Sequence, residues 1–97
     1  MQDIINKSKE RTFMISAKNC PYCLKAKEAL NNINIKFDFY EIDLKDAKRK
    51  KEIIQVTKHN TFPQIFVNSV FIGGYTELMS LILTNSLFSM LGICPDF

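Results

Sequence analysis

Residues 12–23 read TFMISAKNCPYC, and this stretch decides the fold of the 97-residue chain. The apolar run at 12–16 predicts a buried strand, and a short polar loop then leads into Cys20. Over residues 21–33 apolar side chains recur every three or four positions, which indicates one face of a helix. Pro21 suits the first helical turn because its missing N–H would have no partner there. The stretch therefore predicts a strand, a loop and a helix that begins at a cysteine pair.

The rest of the chain alternates between helix and strand signals. We predict helices at 3–9, 45–57, around 78–82 and at 85–91, a strand at 36–43, and a tight hairpin of strands 64–67 and 70–72. In the helix at 45–57, Ile53, Ile54 and Val56 are expected to pack inward. This order predicts a single α/β domain over residues 1–97, with a core at 12–83. One four-stranded mixed sheet should carry helices on both faces, its first two strands joined in parallel by a right-handed crossover.

Charge and composition exclude several classes of protein. The net charge of +3 is mild for a nucleic-acid binder, and much of it lies in the basic run 45–51, which we interpret as a solvated helix face. Residues 78–95 carry no charged side chain, but polar residues interrupt them, so we expect two packed helices and no membrane span. Because no secretory signal is visible at the N-terminus, we expect a cytoplasmic, reducing environment.

The three cysteines divide into a close pair and a single residue. Unpaired N–H groups and the helix dipole favour an anion at a helix start, which makes Cys20 the predicted nucleophilic thiolate, with Lys18 nearby. Cys23 lies one turn further in, where it could resolve a mixed disulfide formed at Cys20. Two alternatives remain: a zinc half-site, for which only His59 and Cys94 are left as soft ligands, and a pair of inert buried thiols. The strand–loop–helix context favours redox chemistry.

Two further motifs suggest a binding site. Residues 61–63, Thr-Phe-Pro, place a proline directly before a strand. A cis bond at Pro63 would leave the backbone of Phe62 free to pair with an extended ligand, although base rates alone make trans the default. Residues 73–77, Gly-Gly-Tyr-Thr-Glu, form a turn that opens a helix, and its N–H groups could hold a carboxylate. Taken alone, this second motif is more typical of an ordinary strand-to-helix turn.

Together these motifs, Cys-Pro-Tyr-Cys at 20–23, Thr-Phe-Pro at 61–63 and Gly-Gly-Tyr-Thr-Glu at 73–77, resemble those of the dithiol glutaredoxins. The resemblance covers residues 12 to about 83. It implies a thioredoxin fold, a cis Pro63, and glutathione-dependent reduction of protein disulfides and of glutathione–protein mixed disulfides. It implies Cys20 and Cys23 as catalytic residues. The glutathione-binding positions that it implies are Lys18, Tyr22, Lys50, Thr61, Phe62, Pro63, Gly74, Tyr75, Thr76 and Glu77.

The chain departs from the family pattern at three positions. Ala17 stands where the family often has a basic residue, which leaves Lys18 displaced by one position. Phe62 replaces the more usual Val, and Glu77 replaces Asp. Both of these replacements could alter the shape of the glutathione pocket. His59 is interpreted as a solvated loop residue.

The resemblance also carries expectations about ligands and partners. We expect glutathione as co-substrate, no metal, no nucleic acid and no membrane, and a monomer. The protein partners would be disulfide-containing or glutathionylated proteins, among which ribonucleotide reductase is common in the family. The alternative function is a module that binds or transfers an iron–sulfur cluster ligated by Cys20 and glutathione, which Pro21 disfavours. Cys94 lies outside the resemblance and has no assigned role.

Overall fold

The computed structural model describes residues 10–93, so the expected helix at 3–9 and Cys94 lie outside it. Within this range the predicted order of helices and strands is confirmed. The strands are β1 (Thr12–Ala17), β2 (Phe37–Ile42), β3 (Gln64–Val67) and β4 (Val70–Gly73), and the helices are α1 (Pro21–Asn32), α2 (Ala47–Thr57), α3 (Tyr75–Leu83) and α4 (Ser86–Leu91).

The four strands form one mixed sheet in the order β2-β1-β3-β4. β1 and β2 run parallel, while β3 is antiparallel to both β1 and β4. The predicted hairpin between β3 and β4 is closed by Asn68 and Ser69, whose φ values of 53° and 66° are both left-handed. Two consecutive left-handed residues produce a turn whose twist matches that of the flanking strands. The mixed sheet and its tight hairpin are therefore as predicted.

The sheet separates two hydrophobic clusters, because successive strand residues point to opposite faces. The large cluster lies under α1, α3 and α4 and consists of Met14, Ala26, Leu30, Ile35, Ile65, Val67, Leu78, Leu87, Phe88 and Leu91. The small cluster lies on the α2 side and consists of Phe13, Ile15, Ala17, Ile42, Ile53 and Phe66. Cys20, Phe62 and Phe71 pack against the small cluster. Cys20 thus lies at the edge of the smaller of the two cores.

Helix α2 differs from its prediction in two respects. It begins at Ala47 rather than residue 45, because the Asp46 side chain caps it by accepting the Arg49 N–H at 3.1 Å. Val56, expected to pack inward, is 58% exposed, so that expectation is wrong. At 100° per residue, the buried face is centred between Ile53 and Ile54, and Val56 lies about 110° away from that centre.

The uncharged stretch near the C-terminus forms two helices, as predicted. α3 ends at Leu83, and Asn85 then adopts a left-handed φ of 59° that redirects the chain into α4. Gly92 caps the C-terminus of α4 with a left-handed φ of 68°, a conformation that glycine adopts without steric cost. In the described range, 10–93, no helix combines the length and the apolar character needed to cross a bilayer.

Candidate active site

Cys20 occupies the N-cap position of α1. Its φ of −112° and ψ of 105° are extended, and its Sγ accepts the backbone N–H of Cys23 at 3.2 Å. The preceding Asn19 has a left-handed φ of 56°, which turns the chain from the loop into the helix. Asn is among the few residues that tolerate this conformation. The sulfur therefore stands where a Ser or Asp oxygen caps an ordinary helix, facing the unpaired N–H groups of the first turn.

Cys20 and Cys23 are joined in a disulfide, with their Cα atoms 5.3 Å apart. The two sulfurs have different surroundings. Cys23 is 2% exposed, and its Sγ accepts the Ala17 N–H at 3.5 Å, whereas Cys20 is only half-buried. An external thiol or disulfide consequently reaches Cys20 first. The redox pair that the spacing predicted is present in its oxidised form.

The loop before β3 lies directly beside Cys20. The peptide bond between Phe62 and Pro63 is cis, as the resemblance implied and against the trans default. The carbonyl oxygen of Phe62 is 3.7 Å from Cys20 Sγ. Within residues 10–93 the N–H of Phe62 has no hydrogen-bond partner. The loop thus offers a backbone donor next to the reactive sulfur.

A groove of about 320 Å³ opens at Cys20. It brings together four of the predicted residues, namely Lys18, Lys50, Thr61 and Phe62, although they are far apart in sequence. Its remaining walls, Ala17, Asn19, Leu44 and Asn60, were not predicted, since the end of β1 and separate loops come together only in the fold. Of the described residues that line this groove, two are lysines and none carries a carboxylate, so its charge favours an anionic ligand.

The glycine turn between β4 and α3 lies against the cis-proline loop. A Cβ on Gly74 would be 3.1 Å from the carbonyl oxygen of Pro63, which is buried. Gly73 has a φ of +121°, and a Cβ there would be 2.5 Å from Cγ of Glu77. Gly73 therefore requires glycine for its backbone conformation, and a Cβ at position 74 would press against the Pro63 carbonyl oxygen.

Residues of α3 that were predicted to bind glutathione have other neighbours in this structure. The Glu77 carboxylate accepts the Gly74 N–H at 2.7 Å and so caps its own helix. Thr76 and Glu77 line a separate surface groove with Ile72 and Met90. Tyr75 packs its ring against that of Tyr22, with centroids 5.7 Å apart. This ring contact links the start of α3 to the start of α1.

His59 is more constrained than a solvated loop residue. It is half-buried, its ring meets Phe71 edge-on at 5.4 Å, and its Nε2 lies 2.8 Å from the hydroxyl oxygen of Thr61. The side chain of the buried Gln64 donates to the carbonyl oxygens of both His59 and Thr61. These bonds fix the loop that carries Phe62. The sequence interpretation missed them, because a His two residues before a Thr has no recognisable pattern.

The described residues, 10–93, contain no group of three or more His, Cys, Asp or Glu side chains placed to hold a metal ion. His59, one of the two soft ligands considered for a zinc site, is bonded to Thr61. The other, Cys94, lies outside the described range.

Comparison with known proteins identifies similar chains. The glutaredoxin family model matches residues 11–72. Glutaredoxin 1 of Rickettsia prowazekii is 34% identical over 79 residues, which is 79% of this chain and 83% of that protein. The solution structure of glutaredoxin from Brucella melitensis superposes with a TM-score of 0.69 at 34% identity, covering 84% of this chain and 88% of that one. The crystal structure of a buckwheat glutaredoxin–glutathione complex superposes with a TM-score of 0.79 at 22% identity, covering 94% and 83%. These matches confirm the thioredoxin fold.

Proposed function

The chain belongs to the glutaredoxin family and is a thiol–disulfide oxidoreductase, and on that premise we propose that it reduces glutathione–protein mixed disulfides and protein disulfides with glutathione as reductant. The observation that carries the proposal is the position of Cys20. Its sulfur caps α1, accepts an N–H, and opens onto a groove with two lysines. A thiolate there is favoured by the helix terminus, and an anionic tripeptide is favoured by the groove.

In the first step, the Cys20 thiolate attacks the glutathione sulfur of a mixed disulfide. The bond between that sulfur and the substrate protein breaks, and the protein leaves as a thiolate that takes a proton from water. Cys20 is then joined to glutathione. The N–H of Cys23, which points at Cys20 Sγ from 3.2 Å, stabilises the negative charge before attack.

A second glutathione completes the cycle. Its thiolate attacks the glutathione sulfur bound to Cys20, which releases glutathione disulfide and returns Cys20 as a thiolate. When the substrate is a protein disulfide, the Cys23 thiolate instead attacks the Cys20 sulfur and releases the reduced protein. The product is the Cys20–Cys23 disulfide, the form seen in the structure, and two glutathione molecules then reduce it.

The groove suggests how glutathione lies against Cys20. Lys18 and Lys50 would attract the glycyl carboxylate, and the N–H of Phe62, which has no partner within residues 10–93, would bind the cysteinyl backbone. The turn at Gly74 and the start of α3, with Tyr75, Thr76 and Glu77, would hold the γ-glutamyl end. Tyr22 would flank the sulfur. The buckwheat protein that shares this fold was solved as a glutathione complex, which supports this assignment of the ligand.

Cysteine variants test the proposal. In an assay coupled to glutathione disulfide reductase, Cys20→Ser should reduce turnover of a glutathionylated peptide to the uncatalysed background, because no nucleophile remains at the groove. Cys23→Ser should retain turnover of that peptide but lose reduction of a protein disulfide, since it cannot release a substrate bound to Cys20.

Two outcomes of these experiments would contradict the proposal. Full activity in Cys20→Ser would exclude the assigned nucleophile. Wild-type protein that is reduced by a flavoprotein thioredoxin reductase, and not by glutathione, would retain the oxidoreductase class but exclude glutathione as its reductant.

A further inference from the structure

His59 lies behind the wall of the active-site groove rather than in it. Its Nε2 is 2.8 Å from Oγ1 of Thr61, and Thr61 lines the groove together with Cys20 and Lys50. Within residues 10–93, no group is hydrogen-bonded to the other ring nitrogen, Nδ1, so no described contact fixes which nitrogen carries the proton. His59 is the only histidine in the sequence.

The protonation of His59 Nε2 determines whether the Thr61 hydroxyl can donate a hydrogen bond to a ligand. When Nε2 is bare, Thr61 donates its proton to the ring and presents only lone pairs to the groove. When Nε2 carries a proton, the ring donates to Thr61 Oγ1, and the hydroxyl proton is free to point into the groove. A doubly protonated ring always holds Thr61 in this second arrangement.

We propose that His59 is a positioning residue that sets Thr61 as a hydrogen-bond donor or acceptor in the groove, and thereby makes the affinity for a carboxylate-bearing ligand depend on the protonation of His59. This inference rests on the proposed function only in taking glutathione as that ligand. Because a carboxylate accepts hydrogen bonds, the donor arrangement favours binding and the acceptor arrangement opposes it. Binding is therefore tighter at the acidic end of the range over which histidine titrates.

Other charged groups surround the pair. The Glu77 carboxylate of α3 lies across Gly74 from the ring: a Cβ on Gly74 would be 3.4 Å from His59 Nε2 and 3.6 Å from Glu77 Oε1. Lys58 is the neighbouring residue in the loop, and Lys18 and Lys50 line the groove. Among residues 10–93, His59 is the group whose ring nitrogen is hydrogen-bonded to the Thr61 hydroxyl, so a change in its protonation acts on that hydroxyl directly.

Because the loop is fixed, the protonation of His59 affects the Thr61 hydroxyl and not the path of the main chain. Thr57 Oγ1 accepts the His59 N–H at 3.3 Å, and Gln64 binds the carbonyl oxygens of His59 and Thr61. The backbone on both sides of the pair is thus held, so a change in protonation reorients the Thr61 proton without moving the chain. The expected effect is on binding and not on the reactivity of Cys20.

The first test compares wild type with His59→Gln, which does not titrate. KM and kcat for a glutathionylated peptide are measured from pH 5.5 to 8. At each pH the wild-type KM is divided by the KM of His59→Gln. This ratio removes any pH dependence that both proteins share through Cys20. The KM ratio should rise roughly three- to tenfold from pH 5.5 to 8, the range expected for one hydrogen bond, while the kcat ratio stays constant. A KM ratio that is flat over this range overturns the inference.

Thr61 variants separate the hydroxyl from the charge of the ring. Thr61→Ser should retain the pH dependence of KM, and Thr61→Val should lose it. Dependence that persists in Thr61→Val would mean that the imidazolium acts through space, which contradicts the positioning role. If wild-type protein does not process the glutathionylated peptide at any pH, it is the proposed function that fails.

A second measurement does not depend on turnover. ¹⁵N NMR of the single imidazole reports which ring nitrogen is protonated. Addition of S-methylglutathione to wild type should keep the ring protonated to a higher pH, because a ligand that prefers one protonation state stabilises that state. The same addition should leave the titration of His59 unchanged in Thr61→Val; an equal change in both proteins would contradict the inference.

Discussion

The two faces of the sheet are built differently. The large cluster is covered by three helices, and its members Met14, Leu30 and Leu78 are completely buried. Among the helices that the structure describes, α2 alone covers the small cluster, and Ile53 is its fully buried residue. Cys20 and Phe62 pack against the small cluster, and the groove opens beside them. Stability therefore derives mainly from one face, and the chemistry lies at the border of the other.

The difference between the two faces determines what holds each wall of the groove in position. Lys50 lies one turn before Ile53 on α2, so the groove depends on how that helix sits on the sheet. The loop with Phe62 is instead held by hydrogen bonds from Gln64, and Cys20 by the start of α1. One wall of the groove thus depends on the packing of a single side chain, Ile53, whereas the others are fixed by hydrogen bonds to the main chain. Substitutions on the two faces should separate stability from ligand binding.

The largest effect is expected from Leu78→Ala in the large cluster. Truncating this fully buried side chain should lower the free energy of unfolding by about 2–5 kcal/mol, through lost burial and the cavity that remains. The measurement is chemical denaturation of the oxidised protein. Leu83→Ala on the same helix is the control, because Leu83 is 80% exposed and should change stability by less than about 0.5 kcal/mol. Similar losses in the two variants would contradict the assignment of the core.

A smaller effect distinguishes the two faces directly. Ile53→Val and Ile65→Val each remove one methylene from a buried side chain and should each cost about 1 kcal/mol of unfolding free energy. Only Ile53→Val should also raise KM for a glutathionylated peptide, since it loosens the helix that carries Lys50. Equal KM values in these two variants would show that the seating of α2 does not control the groove.

The sequence predicted the helices, strands and turns better than it predicted the contacts of individual side chains. Cys20, Pro63 and Gly74 were identified because each meets a local requirement: a helix start, a proline before a strand, and a glycine turn that opens a helix. The parallel pairing of β1 with β2 followed from the helix between them. Such requirements are visible in a few adjacent residues, so spacing and residue type suffice.

The errors and omissions arise where several segments meet. The helical pattern predicts Val56 inside because apolar residues near it share the helix, yet the buried face is decided by the sheet on which α2 lies. The sequence predicts a solvated His59, because its hydrogen bond to Thr61 and its contact with Phe71 arise only when a loop and a strand come together. The lining residues Leu44 and Asn60 were missed for the same reason.

The smallest effect concerns the local stability of α2. Asp46→Ala removes the carboxylate that accepts the Arg49 N–H at 3.1 Å, and it should lower the free energy of unfolding by about 0.5 kcal/mol, because this cap is exposed to solvent. Asp46→Asn keeps a capping oxygen and should retain nearly all of the stability. Hydrogen exchange should be faster in the first turn of α2 in Asp46→Ala and unchanged in α3. Since α2 is anchored chiefly by Ile53, loss of its cap should fray the helix near the groove. Equally faster hydrogen exchange in α2 and α3 would instead mean that the two faces of the sheet unfold as one unit.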